Sequence, residues 1–267
     1  MAIDNREIPA ALVTGATGAI GQAIARQLAA QDYAVVLVAR NESRARQTVA
    51  DIQRTTGNTR VRYELVDLSR QASIQALARR WAGRLHVLVN NAGATPPRRE
   101  ETPEGIELQF ATNVLGYFWM TQAFSDTLQQ SAPARVVNVA SYWAGGLDLS
   151  DLEFKRRSYS NGAAYRQSKQ ANRMLTVAFA GRFKPYAITV NACHPGDVNS
   201  VLSNNLGFGG HESPDEGART PVWLATGEAG GRQTGQYFEY MRLTPDRFAG
   251  DKAAVEALYQ ACLSYSA

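Results

Sequence analysis

Cysteine is scarce: Cys193 and Cys262 are the only two in 267 residues, far apart and without Cys-x-x-Cys spacing. That argues against a disulfide framework or a thiolate zinc site and leaves reduced core thiols as the expectation. No metal is called for. Long apolar runs are missing too. Nothing approaches the roughly 20 residues needed to cross a bilayer, and Met1 to Pro9 is polar with no signal-peptide core. A cytoplasmic protein without a membrane span is therefore expected. Basic runs are also absent: the net charge is +4 and the isoelectric point near 9.1, yet the arginines are scattered and no nucleic-acid motif accompanies them. A nucleic-acid partner is not expected, and solvated helix faces plus a phosphate-rich cofactor account better for the basic balance. The sequence has no internal repeat and no low-complexity segment. With 45% hydrophobic and 19% charged residues it is a globular chain and not a disordered one. Its length suits one extended α/β core over residues 10–267 behind a short tail, 1–9.

What is present reads as alternating strands and helices. Ala10 to Thr14 is a short apolar run that ends in Gly15, and the helical spacing of Ile20, Ile24 and Leu28 follows. The turn between them, Thr14-Gly15-Ala16-Thr17-Gly18-Ala19-Ile20-Gly21, offers backbone N–H groups and a positive helix end to a pyrophosphate. A second strand, Ala34 to Val38, ends in Ala39-Arg40-Asn41. An acidic residue there would bind the ribose of NAD. Arg40 instead supplies a planar fork for a 2′-phosphate, with Arg44 one turn further on, so NADP(H) is favoured over NAD(H). Arg40 as a plain surface residue is the competing reading.

Further strands are expected over Val61 to Val66, Leu85 to Val89, Arg135 to Ala140, Ala187 to Cys193 and Gly235 to Tyr240. Helices are expected over Glu42 to Thr56, Ile106 to Gln129, Pro214 to Thr226 and Asp251 to Leu263. The expected fold is a single doubly wound Rossmann-type domain with a mainly parallel seven-stranded sheet. Asp67 or Ser69 could cap a helix beginning near Arg70.

Ser160 to Met174 is rich in helix formers and puts Tyr165 and Lys169 four positions apart, on one helix face. A phenol exchanges protons near neutrality only if a neighbouring cation stabilises the phenolate, and Lys169 is placed to be that cation. Tyr-x-x-x-Lys alone is also what a solvated face looks like. Its company is more informative: the Gly-rich turn, Asn90-Asn91-Ala92-Gly93, Ser141 at the carboxyl end of a strand, and His194-Pro195-Gly196.

In this order, from about Ala10 to the C-terminal helix, these five motifs resemble the short-chain dehydrogenase/reductase family. The glycine spacing departs from the family's common form, because Ala19 holds the middle glycine position and Gly18 precedes it, as in the epimerase-like branch. The resemblance implies hydride transfer between NADP(H) and a small-molecule carbonyl or alcohol, with Tyr165 as acid/base, Ser141 holding the substrate oxygen, and Lys169 lowering the Tyr165 pKa while binding the nicotinamide ribose. Tyr165 and Lys169 both count among the implied cofactor contacts. It implies that Asn113 perturbs its helix and holds a water in a proton relay; a solvent-facing Asn113 is the alternative. Cofactor contacts are implied for Gly15, Thr17, Gly18, Ile20 and Gly21, for Asp67 and Leu68 on the adenine side, and for Asn90, Ala92 and Gly93. Pro195, Gly196 and Val198 would hold the carboxamide, Ser200 would reach the pyrophosphate, and His194 reads as structural.

The insert 142–159 and the endings Gly-x-Tyr-Phe and Ala-x-x-Leu-Tyr resemble the retinol-dehydrogenase-like and WW-domain-oxidoreductase-like branch, which implies a lipophilic substrate. Aromatics of the insert either line the substrate entrance or pack on one another. Residues 200–213, with three glycines among Leu202, Leu206 and Phe208, suit a flap over the substrate, although a disordered segment has the same composition. Family members are often dimers or tetramers, and this branch includes monomers. Two rival activities remain: a non-catalytic NADP(H)-binding sensor or scaffold, and an epimerase-like enzyme, whose relatives carry a separate C-terminal substrate domain.

Overall fold

A computed structural model describes residues 8–266, so most of the expected 1–9 tail lies outside the described residues. In chain order the elements are β1 (Ala10–Thr14), α1 (Ala19–Ala29), β2 (Ala34–Ala39), α2 (Glu42–Thr56), β3 (Val61–Leu65), α3 (Gln71–Arg80) and β4 (Val87–Asn90). A π-helical segment, Phe110–Leu115, runs into α4 (Gly116–Ala123) and α5 (Ser125–Gln130), followed by β5 (Ala134–Val139), α6 (Asn161–Phe183) and β6 (Ile188–His194). The chain ends with α7 (Val201–Asn205), α8 (Pro214–Thr226), α9 (Glu228–Arg232), β7 (Tyr237–Glu239), β8 (Arg242–Thr244) and α10 (Lys252–Ser264).

The strands form one sheet in the order β3-β2-β1-β4-β5-β6-β7-β8. Neighbours are parallel except β8, which pairs antiparallel with β7. Strand periodicity divides the core in two. Leu12, Val36, Val38, Leu88, Val136 and Val190 face one helix layer, which includes α3, α4, α6 and α10. Ala11, Val13, Val35, Leu37, Val87 and Val137 face the other, which includes α1 and α8. Strands covered on both faces carry continuous apolar runs, which made them legible in the sequence.

Three expectations need correction. The sheet has eight strands and not seven, because the chain reverses at Tyr240 and Met241, both with positive φ (48° and 60°), and adds β8. No Gly or Asn marks that turn, so composition gave no cue. The single helix expected from Ile106 to Gln129 starts later, as the π-helical segment, and breaks at Phe124 (φ −100°, ψ 8°) between α4 and α5. Neither Asp67 nor Ser69 caps α3: Arg70 is the cap residue, and the Asp67 carboxylate accepts from the Ser69 N–H (3.0 Å) and hydroxyl (2.7 Å). Among the described residues no helix is long and apolar enough to cross a membrane.

Candidate active site

The winding reverses between β1 and β4, where open α/β sheets hold their ligands beyond the strand ends. The two loops there are stitched together. The Thr14 hydroxyl accepts from the N–H groups of Asn91 (2.8 Å) and Ala92 (3.1 Å) and donates to the Val89 carbonyl (3.3 Å). The Asn91 amide donates to the Thr14 carbonyl at 2.9 Å. Gly15 has φ +63°, and a Cβ there would fall 2.7 Å from the Ala92 Cα, so both the turn and the close approach require glycine.

A groove of about 570 Å³ opens above this joint. Gly15, Thr17, Gly18, Ile20 and Gly21 line one part of it; Arg40, Asp67 and Leu68 line another; Ala92, Gly93 and Ser200 complete the expected residues found there. A dinucleotide fits this wall. Helix α1 starts at Gly18 with no side-chain cap and no acidic residue in its first turn, so its leading N–H groups are left for phosphate oxygens. Ala39 is followed by exposed Arg40, and Arg44 also borders the groove. Asn90 lies elsewhere. It is fully buried behind the groove, its amide donating to Thr121 (3.2 Å) and Asn138 (2.9 Å), and Asn91 takes the place on the wall that was expected of it. Asn91, Thr112 and Leu202 are groove residues that the motif reading missed. A second asparagine beside a matched one was the only cue for Asn91.

A second cleft, of about 370 Å³, adjoins the groove and shares Ile20, Ser200 and Leu202 with it. Ser141, Tyr165, Pro195, Gly196 and Val198 line it. Ser141 follows β5 by two residues, and its Oγ accepts from the Trp143 N–H at 3.1 Å. Tyr165 lies in the first turns of α6, which Ser160 caps by accepting from the Ala163 N–H. Tyr165 shares this cleft with Ser141. Burial pushes the Tyr165 pKa up to about 12, and the nearby Ser141 hydroxyl acts against that rise.

Lys169, expected as the cation that lowers this pKa, makes its hydrogen bond elsewhere than to the phenol. Its ammonium donates to the Val139 carbonyl (2.9 Å) and lies over the ring faces of Tyr165 (5.5 Å) and Tyr117 (5.6 Å). Burial lowers the Lys169 pKa to about 8. At neutral pH the site therefore combines an un-ionised phenol with a mostly charged amine.

Asn113 is not solvent-facing: it is fully buried within the π-helical segment. Its side chain grips the Ala94 backbone from both ends, accepting from the N–H at 2.7 Å and donating to the carbonyl at 3.0 Å, and it also donates to Ser168 at 3.3 Å. It thus ties the loop after Gly93 to α6 beside Lys169. Asn113 and Lys169 line neither cavity and stand one layer behind.

The insert divides. Tyr142 and Trp143 line the cleft, whereas residues from Asp148 onward mainly close on themselves. Burial would raise the Asp151 pKa, but hydrogen bonds from the Arg157, Lys155 and Arg156 backbone hold it at about 2. The 200–213 stretch is ordered around α7, with a Ser200–Ser203 capping box, and Leu202, Leu206 and Phe208 face the cleft. Phe208 meets Trp143 edge-on (5.9 Å), and Trp143 in turn lies 5.9 Å from the Tyr165 ring.

Comparison with known proteins agrees with this geometry. A family model described as short chain dehydrogenase matches residues 9–207. Retinol dehydrogenase 13 of Mus musculus is 34% identical over 93% of this chain and 80% of its own length. A probable oxidoreductase of Streptomyces antibioticus is 35% identical over 86% of this chain and 84% of its own. Among solved structures, an uncharacterized protein from Mycobacterium Paratuberculosis superposes with a TM-score of 0.79 at 27% identity, covering 97% of this chain and 95% of that one. A short chain dehydrogenase from Escherichia coli CFT073 complexed with NADPH gives 0.72 at 25% identity, covering 88% and 97%.

Proposed function

The chain belongs to the short-chain dehydrogenase family, and from that premise we propose that it is an NADP(H)-dependent oxidoreductase interconverting an aldehyde or ketone with its alcohol. The observation that carries the reading is that Ser141 and Tyr165 share a cleft that adjoins the groove. Bound in that groove, the nicotinamide would supply or take up the hydride.

The chain's own part concerns position and the proton. The free N–H groups at the start of α1 take the pyrophosphate, Arg40 with Arg44 takes the 2′-phosphate, and Asp67 and Leu68 border the adenine. Pro195, Gly196 and Val198 orient the carboxamide, while Lys169, which the resemblance assigns to the ribose, stands one layer behind both cavities. In the reductive direction Tyr165, un-ionised at neutral pH, donates its proton to the substrate oxygen, and Ser141 stabilises that oxygen as charge develops. The charged Lys169 nearby then favours the phenolate left behind. Asn113 positions the α6 segment and the loop after Gly93, and its proposed part in replacing the proton is to hold a water beside Lys169.

The test is cofactor oxidation with a panel of aldehydes and ketones. NADPH consumption stoichiometric with alcohol formed is expected, with kcat/KM for NADPH at least about tenfold above that for NADH. Cofactor binding without turnover of any carbonyl would refute the reading.

A further inference from the structure

His194 ends β6 on the wall of the substrate cleft and is only 3% exposed, yet neither ring nitrogen has a hydrogen-bond partner among the described residues. The nearest carboxylate oxygen, on Asp197, is 3.9 Å from Nε2, beyond hydrogen-bond range. Unpaired donors and acceptors in a protein interior are costly, so a side chain with both nitrogens unpaired calls for a reason. Asn172, Thr112 and Tyr237 are likewise buried with no side-chain hydrogen bond among the described residues, and none of the three lines the cleft.

Burial lowers the His194 pKa to about 4, so at neutral pH the imidazole offers one N–H donor and one bare nitrogen acceptor. Its plane is fixed: the rings of Tyr142 (4.6 Å) and Tyr240 (6.1 Å) both meet it edge-on. Tyr142 forms the cover on the cleft side, and with 51% of its surface exposed it can turn aside without opening the core.

We propose that His194 is a specificity-determining residue that hydrogen-bonds a hydroxyl group carried by the substrate away from its reacting carbon. The reacting oxygen already has Ser141 and Tyr165, so His194 serves a second polar group on the same molecule. A hydroxyl both gives and accepts a hydrogen bond, which matches an un-ionised imidazole. Anionic groups are disfavoured there: Asp197 is adjacent, Glu239 pairs in register with His194, and the Glu212 carboxylate packs against Gly196. The same cleft is walled by the rings of Trp143 and Phe208, which suit a flat carbon skeleton. The favoured substrates are uncharged, hydroxyl-bearing aryl carbonyl compounds.

This inference rests on the proposed function, and one experiment separates the two. Benzaldehyde, its three hydroxymethyl isomers and 4-carboxybenzaldehyde are compared as substrates of the protein and of His194→Phe, with His194→Asn as the conservative variant. The protein should prefer at least one hydroxymethyl isomer over benzaldehyde by about tenfold or more in kcat/KM, chiefly through KM, and should discriminate against the carboxylate. In His194→Phe the ratio should fall to about one, and His194→Asn, which keeps a donor and an acceptor, should restore part of it. If His194→Phe does not fold, the ratio is read from His194→Asn, where a drop short of complete loss is expected.

An unchanged ratio in the variants, or no preference in the parent protein, overturns the inference, as does a parallel fall for every substrate. The same preference is measured without turnover by calorimetry of hydroxymethylbenzyl alcohol against benzyl alcohol on the NADPH-loaded protein, where alcohol and reduced cofactor cannot react. A His194-dependent preference there, with no aldehyde reduced, would sink the proposed function and leave the His194 assignment standing.

Discussion

The groove and the cleft share three residues but are built from different material. Groove walls come largely from strand-end loops whose backbone conformation is fixed by Gly15 and by the Thr14–Asn91–Ala92 stitching. Cleft walls beyond Ser141 and Tyr165 come mostly from side chains: Tyr142 and Trp143 of the insert, and Leu202, Leu206 and Phe208 around α7. A ligand met by backbone N–H groups and a helix end needs little from any one side chain. A ligand met by rings and aliphatic chains depends on each of them. Substitutions on the two sides should therefore separate cofactor affinity from substrate selection.

The largest separation is expected at Arg40. Arg40→Ala should weaken NADPH binding by about 10–100-fold, the worth of charge-assisted hydrogen bonds to a phosphate, and leave NADH binding within about threefold. Titration of both cofactors checks this, and equal losses for the two would merge what the comparison divides. A smaller effect is expected on the cleft side. Phe208→Ala removes an edge-on contact with Trp143 and should raise KM for aryl carbonyls about fivefold while NADPH affinity holds. A shift in cofactor affinity instead would show the 200–213 segment acting on the groove.

The same contrast explains what the sequence revealed. β1, β4 and β5 were legible because strands buried on both faces must be continuously apolar, and the glycine turn because its geometry admits few residues. Pro214–Thr226 was found to the residue, since Ser213 with Glu216 forms a capping box ahead of it. The break at Phe124 and the turn at Tyr240–Met241 left no such trace, because tertiary packing and not local propensity sets them. For the π-helical segment the one cue was the helix perturbation that the resemblance implied at Asn113.

At the site, Ser141 and Tyr165 line one cleft, the two residues that the family resemblance had paired. The hydrogen bond of Lys169 to Val139, the burial of Asn90 and the unpaired nitrogens of His194 depend on contacts between elements distant in sequence. The insert carried both signals at once. Its two leading aromatics line the cleft, and its acidic centre, Asp151, folds the rest upon itself.

The central claim is that Tyr165, beside Ser141 in the cleft, handles the proton. Single-turnover reduction by Tyr165→Phe, measured alongside NADPH affinity, tests it most directly. A rate lowered by about 10²–10⁴-fold with NADPH affinity within about threefold of the parent protein is predicted. A variant that keeps most of its turnover would contradict the assignment outright.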